Sequence, residues 1–229
     1  MWSFEFPLAE LNLSLAEFSA AQENAQRSVQ QNPANPAGRM VLGTALAQQG
    51  QWKAAEDQFR IAQELSPGDP AAHVNMGILY SSEKQWPKAA EEFETALRLA
   101  PRSIVALAHL ADFWVARNEQ AKAVARIQQY LTSYPEDAVA YLILGVTQFN
   151  GKNYDAAQSE FERAIELSPG LMQAHFQLAR VYQQIGQPEA AIAQCETALS
   201  LQPRSANLLA VIASLYEATG NLDAAQKYY

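Results

Sequence analysis

Cysteine, charge and long apolar runs are all scarce in this chain of 229 residues, and each absence excludes a class of protein. The single cysteine, Cys195, cannot form an internal disulfide framework and leaves the redox compartment open. No run of 18 apolar residues occurs, so we expect no membrane insertion. The N-terminus lacks a basic region followed by an apolar core, so we expect no signal peptide, and the compartment stays open.

Charged side chains make up only 17% of the residues, with a formal net charge of −8 and no block of lysine or arginine. Phosphate binding needs several clustered cations, so nucleic acid is a poor partner. The chain also lacks a glycine-rich phosphate loop, an H-E-x-x-H motif and a paired cysteine motif. We therefore expect no catalytic residue, no metal site and no cofactor, and we predict that the chain is not an enzyme.

Proline and alanine, in contrast, recur at one constant interval over almost the whole chain. The proline ladder consists of Pro33, Pro67, Pro101, Pro135, Pro169 and Pro203. The alanine ladder consists of Ala21, Ala55, Ala89, Ala123, Ala157, Ala191 and Ala225. Internal periodicity of this length indicates a solenoid of small units, each of which packs on its neighbours.

One unit, residues 36–69, shows what each repeat contains. Small and apolar residues recur at helical spacing on both sides of a turn at Gly50, which predicts two antiparallel helices. We expect Gly43 and Ala55 to be small because two backbones approach closely there, and Phe59 to fill the space between the helices. A single hairpin could not bury that face alone, so adjacent units must stack.

The pattern of these units consists, in order, of Leu-Gly, an aromatic residue, Gly, an aromatic residue, Ala, Phe, Ala and Pro. This pattern resembles the tetratricopeptide repeat, which has the same repeat length as the interval of the two ladders. The unit 70–103 shows it as Met76, Gly77, Tyr80, Trp86, Ala89, Phe93, Ala96 and Pro101. The resemblance implies an all-α fold, an α-solenoid in which antiparallel helix pairs form a right-handed superhelix.

The resemblance also divides the chain. Residues 1–35 are predicted to form a degenerate N-terminal repeat whose first helix begins at Pro7. Five repeats follow, at 36–69, 70–103, 104–137, 138–171 and 172–205, and residues 206–229 form a truncated sixth repeat. We expect the chain to be a fragment of a longer repeat array.

Two repeats depart from the pattern. The repeat 104–137 has Ile127 in place of the aromatic residue, and Tyr130 in a slot that holds alanine elsewhere. We expect Tyr130 to widen the local helix spacing. In the repeat 172–205 Cys195 replaces the aromatic residue, which predicts a buried thiol that behaves as a small hydrophobe.

Other polar residues receive a structural interpretation. We expect His73, His109 and His175 to be solvated or locally bonded rather than catalytic. Acidic clusters on the second helices, Glu91–Glu92–Glu94 and Glu160–Glu162, alternate with arginine at helical spacing, which predicts a solvated outer face.

The resemblance implies that the first helix of each pair lines an inner groove, with its positions 2, 5, 9 and 12 pointing inward. Carried over to this sequence, the predicted ligand-binding residues are Val74, Ile78, Ala108, Asp112, Leu142, Val146, Phe149, Phe176, Arg180 and Gln183. Apolar residues at positions that the fold does not need to bury indicate a binding patch. The alternative is that the superhelix covers these residues itself. Family members that bind the acidic tails of chaperones do so with lysine, asparagine and arginine side chains. Of these residues only Asn75 is present at the corresponding positions of this chain, so an acidic chaperone tail is disfavoured as a ligand.

We therefore predict a non-catalytic protein–protein interaction scaffold that binds an apolar peptide or helix of another protein in the concave groove. We further expect this ligand to carry a basic or hydrogen-bonding group, because Asp112 stands at an inward position among apolar neighbours. The alternative function is a repeat arm of a larger enzyme, or of a secretion or polysaccharide-export assembly, that positions other domains. Self-association through the uncapped ends is a third possibility.

Overall fold

The computed structural model describes the backbone of residues 15–229 and the side chains from residue 22 onward. Over this range the chain forms thirteen α-helices and no strand. They are α1 (Leu15–Gln31), α2 (Pro36–Gln48), α3 (Trp52–Leu65), α4 (Pro70–Ser82), α5 (Trp86–Leu99), α6 (Ile104–Ala116), α7 (Gln120–Ser133), α8 (Ala138–Asn150), α9 (Tyr154–Leu167), α10 (Met172–Gln184), α11 (Pro188–Leu201), α12 (Ala206–Ala218) and α13 (Leu222–Ala225). The all-α class is therefore confirmed, whereas the helix start predicted at Pro7 lies outside the described residues.

Helix starts follow the interval of the proline and alanine ladders. The even-numbered helices α2 to α12 begin, at that constant interval, at Pro36, Pro70, Ile104, Ala138, Met172 and Ala206. The odd-numbered helices α3 to α13 begin, at the same interval, at Trp52, Trp86, Gln120, Tyr154, Pro188 and Leu222. We call the even-numbered helices the first helices of their repeats and α3 to α13 the second helices.

Side-chain caps fix the starts of several first helices. Asn35, Asp69 and Asp137 each accept a hydrogen bond from the backbone N–H two residues further on, at 3.1, 2.9 and 3.1 Å. Ser205 accepts one from the Leu208 N–H at 3.3 Å. Each cap satisfies a backbone donor that has no partner within the helix.

The turn between the two helices of a hairpin requires one residue in the left-handed conformation. From the repeat 36–69 onward this residue recurs once in each repeat, with φ values between 58° and 79°, at Gly50, Lys84, Asn118, Lys152, Gly186 and Gly220. Glycine adopts this conformation without steric cost, whereas a lysine side chain is disfavoured there. The turn geometry is thus kept even in the repeats where the sequence does not supply glycine.

The chain divides into two compact units, residues 1–113 and 114–229. In the first unit the second helix α3 packs on α4, the first helix of the following repeat. In the second unit α7 packs on α8, α9 on α10, and α11 on α12. Within each unit, therefore, the hairpins bury their apolar faces by stacking, as expected for a solenoid.

The alanine ladder lies at the centre of this packing. Ala55, Ala89, Ala157 and Ala191 are fully buried, as predicted. The reason that Gly43 is small differs from the one we expected. A Cβ atom at Gly43 would lie 2.5 Å from the ring of Phe59, so glycine makes room for an aromatic ring rather than for a neighbouring backbone.

This pairing explains the two divergent repeats. Gly77 faces Phe93 and Gly145 faces Phe161 in the same way as Gly43 faces Phe59. Where the second helix carries a smaller residue in place of this phenylalanine, the first helix carries alanine instead of glycine. The repeat 104–137 carries Ala111 and Ile127 at these two positions, and the repeat 172–205 carries Ala179 and Cys195, which belong to one core cluster. All four residues are buried.

Tyr130 and Cys195 are both buried, in agreement with their predicted core positions. The Tyr130 hydroxyl donates a hydrogen bond to Asp137 Oδ2 at 2.7 Å, and its ring lies 4.7 Å from that of Tyr134. The wider helix spacing at Tyr130 stays a prediction.

Candidate functional site

The curvature of each unit determines which helices line its inner side. Two pairs of successive first helices contact each other, α2 with α4 in one unit and α8 with α10 in the other. In the part of the chain that the structure describes, no second helix contacts the second helix of the next repeat within the same unit. Since the first helices lie closer together than the second helices, the first helices form the inner side of each unit.

This inner side carries little charge. The six first helices contain four charged side chains, whereas the five complete second helices α3 to α11 contain nineteen. The four are Arg39, Asp112, Arg180 and Glu217. A surface of this kind favours contact with apolar or neutral groups, because few side chains would lose hydration on binding.

In the first unit, the predicted residues fall into two groups. Ile78 on α4 is 39% exposed and is available to a ligand. Val74 and Ala108 are buried and contribute to the packing of the fold. Asp112 is half-buried and already interacts within the chain, so the expectation that it needs a basic group from a ligand has no support. Val105 on α6 is 38% exposed and belongs to the same surface.

In the second unit, Leu142 and Val146 are also buried, whereas Phe149 and Phe176 are half-buried and Gln183 is exposed. For Val74, Ala108, Leu142 and Val146 the fold itself covers the side chain. The expectation that these four form part of an open groove is therefore wrong.

Arg180 on α10 connects this helix to α8, another first helix of the second unit. Its guanidinium carbon lies 4.6 Å from the centre of the Phe149 ring, which places the cation over the aromatic face. Its Nη1 donates a hydrogen bond to Gln177 Oε1 at 2.7 Å. Partial burial lowers the pKa of the Arg180 guanidinium below its usual value, although the side chain stays charged. Phe149 and Arg180 thus contact each other on the inner side and are both partly accessible, whereas Phe176 is partly buried and packs against the core cluster that contains Ala179 and Cys195.

The histidines have structural partners. His73 Nδ1 lies 2.7 Å from Glu92 Oε2, and the ring of His109 stacks on Phe93 with 6.2 Å between the ring centres. His175 Nε2 donates to the Pro169 carbonyl at 3.0 Å. His73 and His175 are therefore locally bonded, as expected, whereas His109 is held by ring stacking.

The thiol of Cys195 is buried, as the sequence predicts. Burial raises the pKa of this thiol to about 11, and the adjacent Glu196 carboxylate adds to the effect. The thiol is therefore protonated and inert at neutral pH.

The acidic clusters agree with their interpretation only in part. Glu91 and Glu162 are exposed, as predicted for a solvated face, but Glu92, Glu94 and Glu160 are half-buried.

Sequence reasoning missed one recurrent polar contact. In three repeats the side chain at position 4 of the first helix reaches a side chain on the second helix. The pairs are Arg39 with Gln58, His73 with Glu92 and His175 with Gln194, at 2.8, 2.7 and 2.8 Å. Arg39 and His175 also donate to the carbonyl of the proline that ends the preceding repeat. Arg39, His73 and His175 stand at equivalent positions of their repeats in the sequence, and this recurrence of polar residues could have indicated the contact.

The residues described by the structure contain no group of three or more His, Cys, Asp and Glu side chains arranged to hold a metal ion. Nor is any helix among them long and apolar enough to cross a bilayer.

Helix hairpins that repeat at a constant interval and stack through buried alanines define an α-solenoid repeat protein. The chain belongs to the tetratricopeptide repeat family. One family model of this description matches residues 6–70, 115–171 and 176–229, a second matches 151–197 and a third matches 70–103. The fold of this family suggests a protein–protein interaction scaffold, and its members are generally non-catalytic.

Solved structures share the fold. PilW, described as a widely conserved type IV pilus biogenesis factor, is 23% identical and superposes with a TM-score of 0.64 over 84% of this chain and 90% of that one. A tetratricopeptide repeat protein from Parabacteroides merdae is 20% identical, with a TM-score of 0.64 over 93% and 84% of the two chains. MamA is 24% identical, with a TM-score of 0.55 over 70% and 87%. At these identities the similarity shows the fold alone. Curated protein sequences give no match to this chain.

Proposed function

We propose that this chain is a non-catalytic scaffold that binds an apolar segment of another protein along the inner side of its first helices. The observation that carries the proposal is the combination of accessible apolar side chains with a nearly uncharged surface. Ile78 and Val105 are exposed on first helices in one unit, and Phe149 and Phe176 are accessible in the other. Apolar area of this kind contributes to binding once a partner removes it from water.

The shape of the surface favours a segment that lies across several first helices. The first helices α2 and α4 contact each other, as do α8 and α10, so the exposed side chains of each pair lie on adjoining helices. An amphipathic helix or an extended peptide can place apolar side chains along such a surface. Because few charges line it, we expect salt to change the affinity only weakly.

The test uses peptides selected from a random display library on the intact chain. Binding of the selected peptides is then measured for Ile78→Glu and Phe176→Glu, one change on the inner side of each unit. Leu142→Glu is unsuitable, because Leu142 is buried and the change would unfold the protein.

The matched controls place the same charge at exposed leucines on second helices. Leu99 and Leu201 are 42% and 44% exposed and end α5 and α11. We expect the inner-side variants to lose binding by about tenfold or more and the controls to bind as the unchanged chain does. Circular dichroism confirms that all variants remain folded. If the Leu99→Glu or Leu201→Glu variants lose binding while the inner-side variants keep it, the second helices form the binding surface and the proposal is wrong.

A further inference from the structure

Two tyrosine side chains share one carboxylate oxygen in the region where α12 packs on α11. The Tyr216 hydroxyl on α12 donates to Glu196 Oε1 at 2.9 Å, and the Tyr228 hydroxyl, from the segment after α13, donates to the same oxygen at 2.8 Å. The two rings are stacked, with 5.7 Å between their centres and 21° between their planes. The phenols therefore lie side by side, with their hydroxyl groups at the same end.

The contact from α12 recurs in other repeats. Tyr80 on α4 donates to Glu56 at 3.0 Å, and Tyr182 on α10 donates to Glu162 at 3.5 Å. Both tyrosines stand at the repeat position that Tyr216 occupies. One tyrosine thus suffices to join a first helix to the preceding second helix, and the second phenol, from beyond α13, has no counterpart in those two contacts.

The three side chains of this site are half-buried. Both rings pack against the core cluster that contains Ile212 and Leu215, so they are fixed on one side and reach solvent on the other. The hydrogen bond to Glu196 raises the pKa of Tyr216, and the same bond together with burial raises the pKa of Tyr228 to about 12. Both phenols therefore keep their protons at neutral pH.

A phenol that keeps its proton is oxidised most easily when a base removes that proton as the electron leaves. A base acts in this way when it lies within hydrogen-bond distance of the proton that it takes. Glu196 meets this condition for both phenols. Because its side chain reaches solvent, it can release the proton of the first phenol before the second phenol is oxidised.

We propose that Tyr216 and Tyr228 form an oxidative crosslinking site, which a haem peroxidase and hydrogen peroxide convert into dityrosine. Each phenol gives one electron to the peroxidase and its hydroxyl proton to Glu196, which leaves two phenoxyl radicals. A carbon–carbon bond forms between the ring carbons next to the two hydroxyl-bearing carbons, and the hydrogens of these ring carbons move to the oxygens to restore the phenols. The pair thus loses two hydrogen atoms in total, and one hydrogen peroxide becomes two water molecules.

The crosslink joins α12 to the segment after α13 and so fixes this hairpin covalently. A covalent link restricts the unfolded chain more than the folded one, as a disulfide does. The crosslinked protein should therefore unfold at a higher midpoint temperature than the untreated protein. This site does not depend on the inner-side surface proposed above to bind a partner.

The first measurement locates the crosslink. The intact chain is treated at low concentration with a haem peroxidase and a limiting amount of hydrogen peroxide, while dityrosine fluorescence is followed. The chain contains 9 tyrosines, so unselective oxidation would give several products. We expect the first product to be a monomer that is lighter by two hydrogen atoms. Mass spectrometry of its peptides should show Tyr216 joined to Tyr228.

Other products of the same treatment would overturn the proposal. The rings of Tyr130 and Tyr134 are only 4.7 Å apart, so a first crosslink between them would mean that distance alone selects the product. A first crosslink between two chains through Tyr229, which is 79% exposed, would mean that exposure selects it. Oxidation of Cys195 in place of a crosslink would also contradict the proposal.

The second measurement tests the role of the shared carboxylate. Glu196→Gln keeps an oxygen that accepts hydrogen bonds but removes the base, so the initial rate of crosslinking should fall by about tenfold or more. Glu162→Gln makes the same change beside Tyr182 and should leave the rate unchanged. Tyr228→Phe should abolish this crosslink, and circular dichroism checks that each variant is folded. A Glu196→Gln variant that crosslinks as fast as the unchanged chain would overturn the proposal.

Discussion

Replacing Gly77 by alanine tests the packing rule that links the two helices of a hairpin. Gly77 lies on α4, and a Cβ atom there would lie 2.6, 2.7 and 2.8 Å from three ring atoms of Phe93. Real Cβ atoms do not approach other atoms so closely, so the ring or the helix must move. In an exposed helix the same change would stabilise the protein by about 1 kcal/mol, because alanine is the better helix former.

The ring of Phe93 has little space in which to move. It is 2% exposed, and its centre lies 6.2 Å from the ring of His109 and 6.0 Å from that of Phe113. Forcing an extra methyl group into a well-packed core costs about 1–3 kcal/mol. After subtraction of the gain in helix propensity, we expect Gly77→Ala to lower the free energy of unfolding by up to about 2 kcal/mol.

Denaturant unfolding followed by circular dichroism measures this change. Gly68→Ala is the control, because a Cβ atom at Gly68 meets nothing within 4 Å and should change stability by less than about 0.5 kcal/mol. Phe93→Ile combined with Gly77→Ala recreates the residue combination that the sequence carries at the equivalent positions 111 and 127. We expect the double variant to be more stable than the sum of the single changes predicts, by about 1 kcal/mol or more.

Two results would refute the reasoning. One is a Gly77→Ala variant that is more stable than the unchanged chain, since the ring would then have free space. The other is simple additivity of Gly77→Ala and Phe93→Ile, which would mean that the two positions do not constrain each other.

Three further changes test other contacts. Lys84→Gly should raise the free energy of unfolding by about 0.5–1 kcal/mol, because Lys84 holds a left-handed conformation at φ 59°. Gly186→Ala should have the opposite effect, and denaturant unfolding measures both changes. Cys195 should resist a thiol reagent in the native state and react only as fast as the protein opens, so labelling that is as fast as for an unfolded peptide would contradict its burial. Tyr80→Phe should cost about 1 kcal/mol through loss of the hydrogen bond to Glu56, which joins two repeats at 3.0 Å. Burial and that bond raise the pKa of Tyr80 to about 12. The stabilisation is therefore present below the ordinary tyrosine pKa and is lost as the pH rises toward 12. An ultraviolet titration in which Tyr80→Phe leaves the tyrosinate signal near pH 12 unchanged would exclude this assignment.

The inner-side surface shows where sequence reasoning reached its limit. Position 5 of the first helix holds Val74, Ala108 and Leu142, all of which the family resemblance placed in an open groove. The structure buries all three. For Val74 on α4 and Leu142 on α8 the reason is that each helix packs against its own second helix, the preceding second helix and a neighbouring first helix. Helical periodicity marks an apolar face, but it does not show how much of that face the neighbouring repeats cover.

Glu160 shows the same limit for polar residues. The sequence placed it beside Glu162 on a helix with alternating charge, and the two residues looked equivalent. Only the packed structure separates them, since a side chain two positions away on a helix points in a different direction. Glu162 is exposed, whereas Glu160 is half-buried.

The sequence by itself determined the repeat and its helices, because these depend on local interactions. Proline positions, capping residues and the alanine ladder all act within one hairpin or one turn, and the constant interval between helix starts follows from them. The tertiary structure alone decided which apolar side chains stay accessible and which polar side chains are shielded from solvent. Those properties depend on the volumes and donors of side chains in other helices, which no local pattern records.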